Sequence, residues 1–194
     1  MPKVVLISGK AQSGKDTFAR LFKDRVLSFN ESQAEPYEEL ENKRVLILKY
    51  GDILKFICKQ FFNWNGEKDL EGRTLLQRVG TDIFRENNPD TWVNCVIEIV
   101  KGLGNLYDYI LIPDTRFPNE ISKWMGCGID YVTVRIDRVN ADNTPFDNKL
   151  SLEQKSHISE TALDRYVFDY HVINRKLIDL SREVVGIYNE LEGF

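Results

Sequence analysis

A glycine-rich segment with a conspicuously placed lysine lies near the N-terminus, over residues 9–17. Its sequence, GKAQSGKDT, has the spacing G-x-x-x-x-G-K, with Gly9, Gly14 and Lys15 at the fixed positions. Such glycines let successive backbone N–H groups turn inward around an anion, and the lysine ammonium reaches the terminal phosphates of a nucleotide. An apolar run at 4–8 precedes the segment and a helical pattern follows it, so a helix N-terminus faces the same anion. We therefore predict a nucleotide-phosphate site here. Its other predicted contacts are Ala11, Ser13 and Thr17.

The residue after Lys15 departs from the usual pattern. A serine or threonine whose hydroxyl binds Mg²⁺ normally stands there, whereas this chain has Asp16 followed by Thr17. In one interpretation the Asp16 carboxylate holds Mg²⁺ through water or positions an acceptor. In the other, Asp16 is only a favourable acidic residue in the first turn of a helix.

A second motif joins a strand pattern to a carboxylate. The apolar run Tyr109–Ile112 ends just before Asp114, and an acid at such a place orients Mg²⁺ and its waters against the β- and γ-phosphates. Arg116, two residues later, is placed to stabilise charge on a phosphoryl group. The predicted catalytic residues are Lys15, Asp16, Asp114 and Arg116, and the predicted Mg²⁺ ligands are Asp16 and Asp114.

Alternating elements are predicted to position these motifs. Helical patterns separate apolar strand patterns, which lie at 4–8, 45–50, 109–112, 131–135 and 171–173. This alternation predicts right-handed crossovers and a parallel sheet covered by helices on both faces. Ligands of such sheets bind beyond the carboxyl ends of the strands, and both motifs lie at such ends.

A polar insertion separates the second and third predicted strands. Residues 62–73 predict a loop, residues 75–83 a helix, and Asp90 the cap of the next helix. Arg73 and Gln77 recur at helical spacing, which aims a guanidinium and an amide at one ligand; a solvated helix face is the alternative. Trp92, in turn, is either a packing residue or part of the same site. The candidate acceptor-binding residues are Asp52, Lys55, Arg73, Gln77, Asp82, Arg85 and Trp92.

Composition limits the other classes of function. A chain of 194 residues can bury a full α/β core, and a formal net charge of −4 offers no basic surplus for nucleic acid or anionic membranes. No apolar run approaches the roughly 18 residues of a membrane span. The three scattered cysteines, without a C-x-x-C pair, are typical of reduced structural thiols. We therefore expect a soluble, cytoplasmic protein that binds neither nucleic acid nor membranes.

Together these motifs resemble the deoxynucleoside monophosphate kinases of bacteriophages and bacteria, a branch of the P-loop nucleoside monophosphate kinases. The resemblance spans nearly the whole chain in the right order. It rests on GKAQSGKDT, LLQRVGTDIFRENNPDTWV, YDYILIPDTRFPNE, and HISETALD followed by YHVIN. The SGKDT form, with Asp16 in the hydroxyl position, is itself a feature of that family, and PDTR is its most distinctive partner.

The resemblance implies an α/β fold, the three-layer α/β/α sandwich of P-loop NTPases, with a five-stranded parallel sheet of order 2-3-1-4-5. It also implies a single kinase domain over 1–194, with an acceptor-binding insertion at about 52–105 and a lid at about 136–158. A plain surface loop remains the alternative for the lid. By resemblance, Lys15 and Thr17 would bind ATP phosphates and Asp114 would serve Mg²⁺. The acceptor would be surrounded by Arg73, Gln77, Asp82 and Arg116, and the lid arginines closing on the phosphoryl group would be Arg135 and Arg138.

The predicted activity is in-line transfer of the γ-phosphoryl group of ATP, with Mg²⁺, to the 5′-phosphate of a deoxynucleoside monophosphate. No general base is needed, because the acceptor phosphate is already anionic. One alternative keeps the fold and takes another small phosphorylated metabolite, such as phosphomevalonate. A second is a GTPase-like switch or a nucleotide sensor, although the guanine-reading motif N-K-x-D is absent. The base, the sugar and the formation of a homodimer are left open.

Overall fold

The computed structural model describes residues 1–33, 42–67 and 69–194. Five strands alternate with helices along this chain. The strands are β1 (Lys3–Ser8), β2 (Val45–Ile47), β3 (Tyr109–Ile112), β4 (Tyr131–Arg138) and β5 (Tyr170–Asn174). The helices are α1 (Lys15–Gln33), α2 (Tyr50–Phe61), α3 (Leu70–Gln77), a π-helix (Arg78–Arg85), α4 (Thr91–Leu103), α5 (Asn119–Ser122), α6 (Leu152–Ser156), α7 (Ile158–Thr161) and α8 (Leu177–Glu192).

The strands form one parallel sheet in the order β2-β3-β1-β4-β5, which confirms the predicted order. The strand β1 lies at the centre, where Val5 is in register with Leu111 of β3 and with Val132 of β4. Because all the strands are parallel, their carboxyl ends meet at one edge of the sheet. The glycine-rich segment follows β1 at this edge, and Asp114 follows β3.

Two apolar layers cover the sheet, one on each face. Alternate residues of β1 point to opposite faces: Val5 and Ile7 pack in the layer with α1 and α8, whereas Val4 and Leu6 pack in the layer with α4. On α1, the fully buried side chains Phe18, Phe22 and Val26 recur every four residues, which is the spacing of one helix face. The result is the predicted three-layer arrangement.

The predicted strand at 45–50 is too long, because α2 already begins at Tyr50. Both oxygens of the Asp114 carboxylate accept backbone N–H groups at this start, from Tyr50 at 3.1 Å and from Gly51 at 2.9 Å. A carboxylate that follows β3 thus satisfies the first N–H groups of α2, for which the N-cap residue provides no side-chain hydrogen bond. Because Tyr50 and Asp114 are 64 residues apart in the sequence, no local pattern could have predicted that α2 begins at Tyr50.

The insertion is more helical than predicted. The helix α3 starts at Leu70, inside the predicted loop, because the Asp69 side chain caps it by accepting from Gly72 N at 2.8 Å. The regular helix expected at 75–83 continues only to Gln77, and a π-helix follows it from Arg78 to Arg85. Asp90 stands at the predicted N-cap position of α4 but does not cap the helix through its side chain. The side chain instead binds two residues of the segment after β3, Asn119 at 2.9 Å and Lys123 at 2.7 Å.

The remaining expectations concern thiols and membranes. All three cysteines are free; Cys58 is buried, Cys127 is half-buried and Cys95 is exposed. Among the described residues, no helix combines the length and the apolar character that crossing a membrane requires.

Phe22 offers a test of the layer beneath α1. Its ring centroid lies 5.2 Å from that of Tyr109 and 5.7 Å from that of Tyr188. Phe22→Ala should lower the free energy of unfolding by about 3–5 kcal/mol. The control Leu27→Ala, on the same helix but 43% exposed, should cost less than about 1 kcal/mol. Urea unfolding measures both, and equal losses would contradict this account of the core.

Candidate active site

The glycine-rich segment forms a tight loop whose backbone favours glycine at two positions. Gly9 has a φ of +149° and Gly14 a φ of +105°, in the region where a side chain is strained. A Cβ atom at Gly9 would lie 2.3 Å from the carbonyl oxygen of Ile136 on β4. On the other side, the Asn174 amide at the end of β5 donates to Ser13 O at 2.8 Å. The ends of β4 and β5 therefore hold the loop in place.

Lys15 lies across the inside of this loop. Its ammonium donates to Gly9 O at 2.7 Å and to Lys10 O at 2.8 Å, and the residue is buried. Burial first, and then the nearby Arg116 charge, lower the pKa of Lys15 to about 8, and the Glu160 charge opposes this fall. This ammonium is held where an anion entering the loop would meet it.

Ser13 supplies a further sign of an anion site. Within the part of the chain that the structure describes, its buried hydroxyl has no hydrogen-bond partner. Buried hydroxyl groups are normally paired, so this one is a donor available to a ligand in the loop. Together with Lys15 and the N-terminus of the 19-residue helix α1, it fits the chemistry of a polyphosphate.

Lys49 pairs with one of the two predicted Mg²⁺ ligands and lies near the other. The Lys49 ammonium is 2.5 Å from Asp16 Oδ1. Its pKa is raised overall: partial burial disfavours the charged form, but the hydrogen bond to Asp16 and the charges of Asp16, Asp52 and Asp114 outweigh it. Sequence reasoning missed Lys49, a cation among these carboxylates.

The donor set at this place suits Mg²⁺. Over the described residues, no group of three or more His, Cys, Asp or Glu side chains could hold a metal ion. Mg²⁺ needs no such cage, because it is usually bound by one or two carboxylates together with phosphate oxygens and waters. Burial raises the pKa of the Asp114 carboxyl, against the two backbone N–H groups that lower it, and each oxygen keeps acceptor capacity beyond its single N–H bond.

Glu120 fixes the loop that carries Arg116. Its carboxylate is buried and accepts from Arg116 N at 2.7 Å, from Phe117 N at 3.1 Å and from the Arg85 guanidinium at 2.8 Å. Burial raises the pKa of Glu120, while Arg85 and the two N–H groups oppose the rise. Sequence reasoning missed this residue, since a lone acid four positions after Arg116 carries no periodic signal.

A cavity of about 420 Å³ opens beside Arg116 and Asp114. Its apolar wall includes Leu54, Leu76, Trp92, Phe117 and Ile158, and polar groups enter it from Gln77, Thr81, Arg85 and Arg116. The Trp92 indole donates to Gly80 O at 3.1 Å and its ring lies 5.1 Å from that of Phe84. Trp92 is therefore both a packing residue and a wall of this cavity.

The predicted acceptor residues divide into two groups. Gln77, Arg85 and Trp92 line the cavity. Asp52 and Lys55 instead pair with each other at 2.6 Å on α2, and they lie outside its lining. The exposed residues Arg73 and Asp82 also lie outside it, so the structure does not bring these four to the others. Their role in binding stays a prediction.

A second cavity, of about 450 Å³, lies on the β4 side of the loop, with Lys10, Asn143, Phe146 and Asn148 in its lining. Arg138 also lines it, stacks 3.9 Å above the Phe146 ring centroid and donates to Gln12 O of the loop at 3.1 Å.

Arg135, the other predicted lid arginine, does not line this cavity. Arg135 is buried and binds Asp137 and Asp164, each at 3.0 Å, so acids of the protein already compensate its charge.

One acidic residue joins the phosphate loop to the segment after β3. The Glu160 carboxylate accepts from Ala11 N at 2.7 Å through Oε2 and binds the Arg116 guanidinium at 2.5 Å through Oε1. The sequence alone assigned no role to Glu160. Its place in the HISETALD segment, on which the family resemblance partly rests, was the signal that could have indicated one.

No protein-family model matches the chain, and no curated protein matches it. Two solved structures of the Mycobacterium tuberculosis APS kinase CysC are similar to it. One, in complex with AMPPNP and APS, has a TM-score of 0.52 at 16% identity, over 97% of this chain and 98% of that chain. The other, a cysteine-to-alanine mutant, has a TM-score of 0.50 at 14% identity, over 97% of each chain. At this identity the shared property is the fold, and the chain has the α/β fold of the P-loop kinases.

The contact at Gly9 generates a test of the loop. Gly9→Ala places a methyl group against a backbone carbonyl that cannot move aside, at a strained φ. The free energy of unfolding should fall by roughly 1–3 kcal/mol, and ATP binding, measured by calorimetry, should weaken with it. The control Gly102→Ala, on α4 with open space around the added atom, should leave both unchanged or stabilise the helix slightly. Unaltered ATP binding in the Gly9 variant would contradict the assignment of this loop to phosphate.

Proposed function

We propose that the chain is an ATP- and Mg²⁺-dependent phosphotransferase, and specifically a kinase that phosphorylates the 5′-phosphate of a deoxynucleoside monophosphate. The observation that carries the proposal is a pair of cavities that flank the ion pair of Arg116 and Glu160, which contacts the phosphate loop at Ala11. Lys10 of the loop lines the cavity on the β4 side. Arg116, whose charge acts on Lys15, lines the cavity beside α2 and α4. A kinase needs two ligands that meet at one phosphoryl group.

The cavity on the β4 side suits the donor nucleoside. It adjoins the loop directly, and the stacked pair Arg138 and Phe146 offers a flat cationic and aromatic surface to a base. Asn143 and Asn148 add amide groups to its lining. The APS kinase structure in complex with AMPPNP supports a nucleotide donor for a chain of this fold.

The cavity beside α2 and α4 suits the acceptor. Its largely apolar wall, which includes Trp92 and Phe117, fits a planar base, and few polar groups converge on it, as in most small-ligand sites. Gln77 offers an amide to the edge of a base, and Arg85 and Arg116 offer guanidinium groups to a phosphate. Another small phosphorylated metabolite would use the same arginines but would need no flat apolar wall.

The residues of the chain would act mainly by position and charge. Backbone N–H groups of the loop, the Ser13 hydroxyl and the Lys15 ammonium would hold the donor phosphates, and Arg116 would contact the phosphoryl group as it moves. When bound by Asp16 and Asp114, Mg²⁺ supplies further positive charge to those phosphates. The acceptor phosphate oxygen attacks the γ-phosphorus, the bond from that phosphorus to the bridging oxygen of ADP breaks, and ADP leaves with the electron pair.

A coupled ADP-release assay tests the proposal. The protein is given ATP and Mg²⁺ with dAMP, dGMP, dCMP, dTMP, dUMP, their ribonucleotide forms or phosphomevalonate. We expect turnover that depends on one or a few deoxynucleotides. Turnover with phosphomevalonate alone would move the chain to a metabolite kinase. Release that ignores every acceptor would place it among ATPases or switches instead.

Lys15→Ala tests the loop in the same assay. Because Lys15 is the only loop side chain predicted to bring a positive charge inside the phosphate site, its removal should lower kcat/KM at least about 100-fold. The control Lys101→Ala removes an equal charge from an exposed pair with Glu98 and should leave turnover unchanged. Retained activity in the Lys15 variant would contradict the role of the loop, provided circular dichroism shows that both variants fold.

A further inference from the structure

The Glu160 carboxylate is an anion bound to a backbone N–H of the phosphate loop. Its side chain is only 8% exposed, although it belongs to the four-residue helix α7 near the protein surface. Its two oxygens are bound separately, one by the backbone N–H of Ala11 and one by Arg116. The nearby Glu160 charge also favours the protonated form of Lys15. A backbone N–H of the loop, a guanidinium and an ammonium are the donors that a phosphoryl group would seek there.

This position lies at the junction of the two cavities. Glu160 and Lys155 line the cavity on the β4 side, whereas His157, Ile158 and Ser159 line the cavity beside α2 and α4. Arg116 holds this segment twice, through Glu160 and through Ser159 O at 3.4 Å. A phosphoryl group in transfer between the two cavities has to pass the point that the carboxylate fills.

We propose that Glu160 is an internal ligand of the phosphate loop, a carboxylate that holds the place of the transferring phosphoryl group and that phosphate must displace. The inference rests on the proposed function, since it needs a phosphate ligand in the loop. The single Ala11 N–H can serve either the carboxylate or a phosphate, and the like charges of these two groups would repel each other beside Arg116. Displacement of the carboxylate frees α7 from Arg116. Binding of phosphate in the loop is therefore coupled to movement of the segment 155–160.

The test uses tripolyphosphate, which carries the phosphates without a nucleoside. Calorimetry compares the wild type with Glu160→Gln, which removes the competing charge, and with Glu153→Gln. The control makes the same change of charge at an exposed residue of α6, seven positions away. We expect Glu160→Gln to bind tripolyphosphate about tenfold or more tightly than the wild type, and Glu153→Gln to bind like the wild type.

A second measurement needs no variant and therefore does not depend on how well Glu160→Gln folds. Hydrogen exchange of the wild-type protein is followed with and without tripolyphosphate. We expect the amides of the loop to stay protected, because phosphate replaces the carboxylate on them, and those of 155–161 to exchange faster as α7 is released. Unchanged or slower exchange at 155–161 would overturn the proposal.

The outcomes separate this inference from the proposed function. Equal binding by the wild type and Glu160→Gln would leave the phosphate loop intact and overturn the competition. Weaker binding by Glu160→Gln would also overturn it, and would make Glu160 a residue that positions Arg116 for phosphate. If none of the three proteins bound tripolyphosphate, the phosphate loop itself would be wrong, and the inference would fall with it.

Discussion

The buried ammonium of Lys15 is the constraint on which the rest of this site depends. A charge removed from water is costly unless polar groups compensate it, and here the carbonyl oxygens of Gly9 and Lys10 do so. The loop takes up positive φ angles at Gly9, Gln12 and Gly14 as it turns around the ammonium. Ile136 on β4 and Asn174 on β5 then fix the loop from outside. The strand order therefore positions the Lys15 ammonium, because it brings the ends of β4 and β5 beside the loop that follows β1.

The charges around Lys15 are balanced by residues from distant parts of the chain. Glu160 of α7 compensates Arg116, and Lys49 lies among the carboxylates near the start of α2. A polyphosphate with Mg²⁺ carries both kinds of charge, so on binding it would exchange partners with these side chains and would not leave a bare charge buried. Opposite charges are thus paired within the site, although the chain as a whole has a net charge of −4. This pairing also couples the segment 155–160 to the loop.

The sequence predicted what local patterns encode. The loop with Lys15, the apolar strand that leads to Asp114 and the buried face of α1 all follow from spacing, and the order of the strands came from the resemblance of the motifs. What it missed depends on contacts between remote positions: the start of α2 under Asp114, the partners of Asp90, and the carboxylates of Glu120 and Glu160. The π-helix carries no local signal either: the spacing of Val79 and Ile83 fits one face of a regular helix, yet Val79 is buried and Ile83 is 37% exposed.

The central claim is that one loop brings two nucleotides to a common phosphoryl group. The most direct measurement is the affinity of a bisubstrate analogue in which a pentaphosphate joins adenosine to a deoxynucleoside, compared by calorimetry with that of ATP. Because Lys10 of the loop lines one cavity and Arg116, near Lys15, lines the other, the analogue should bind at least about 100-fold more tightly than ATP, since its second nucleoside binds intramolecularly. An affinity no greater than that of ATP would show that the cavity beside α2 and α4 takes no nucleotide, and would contradict the account.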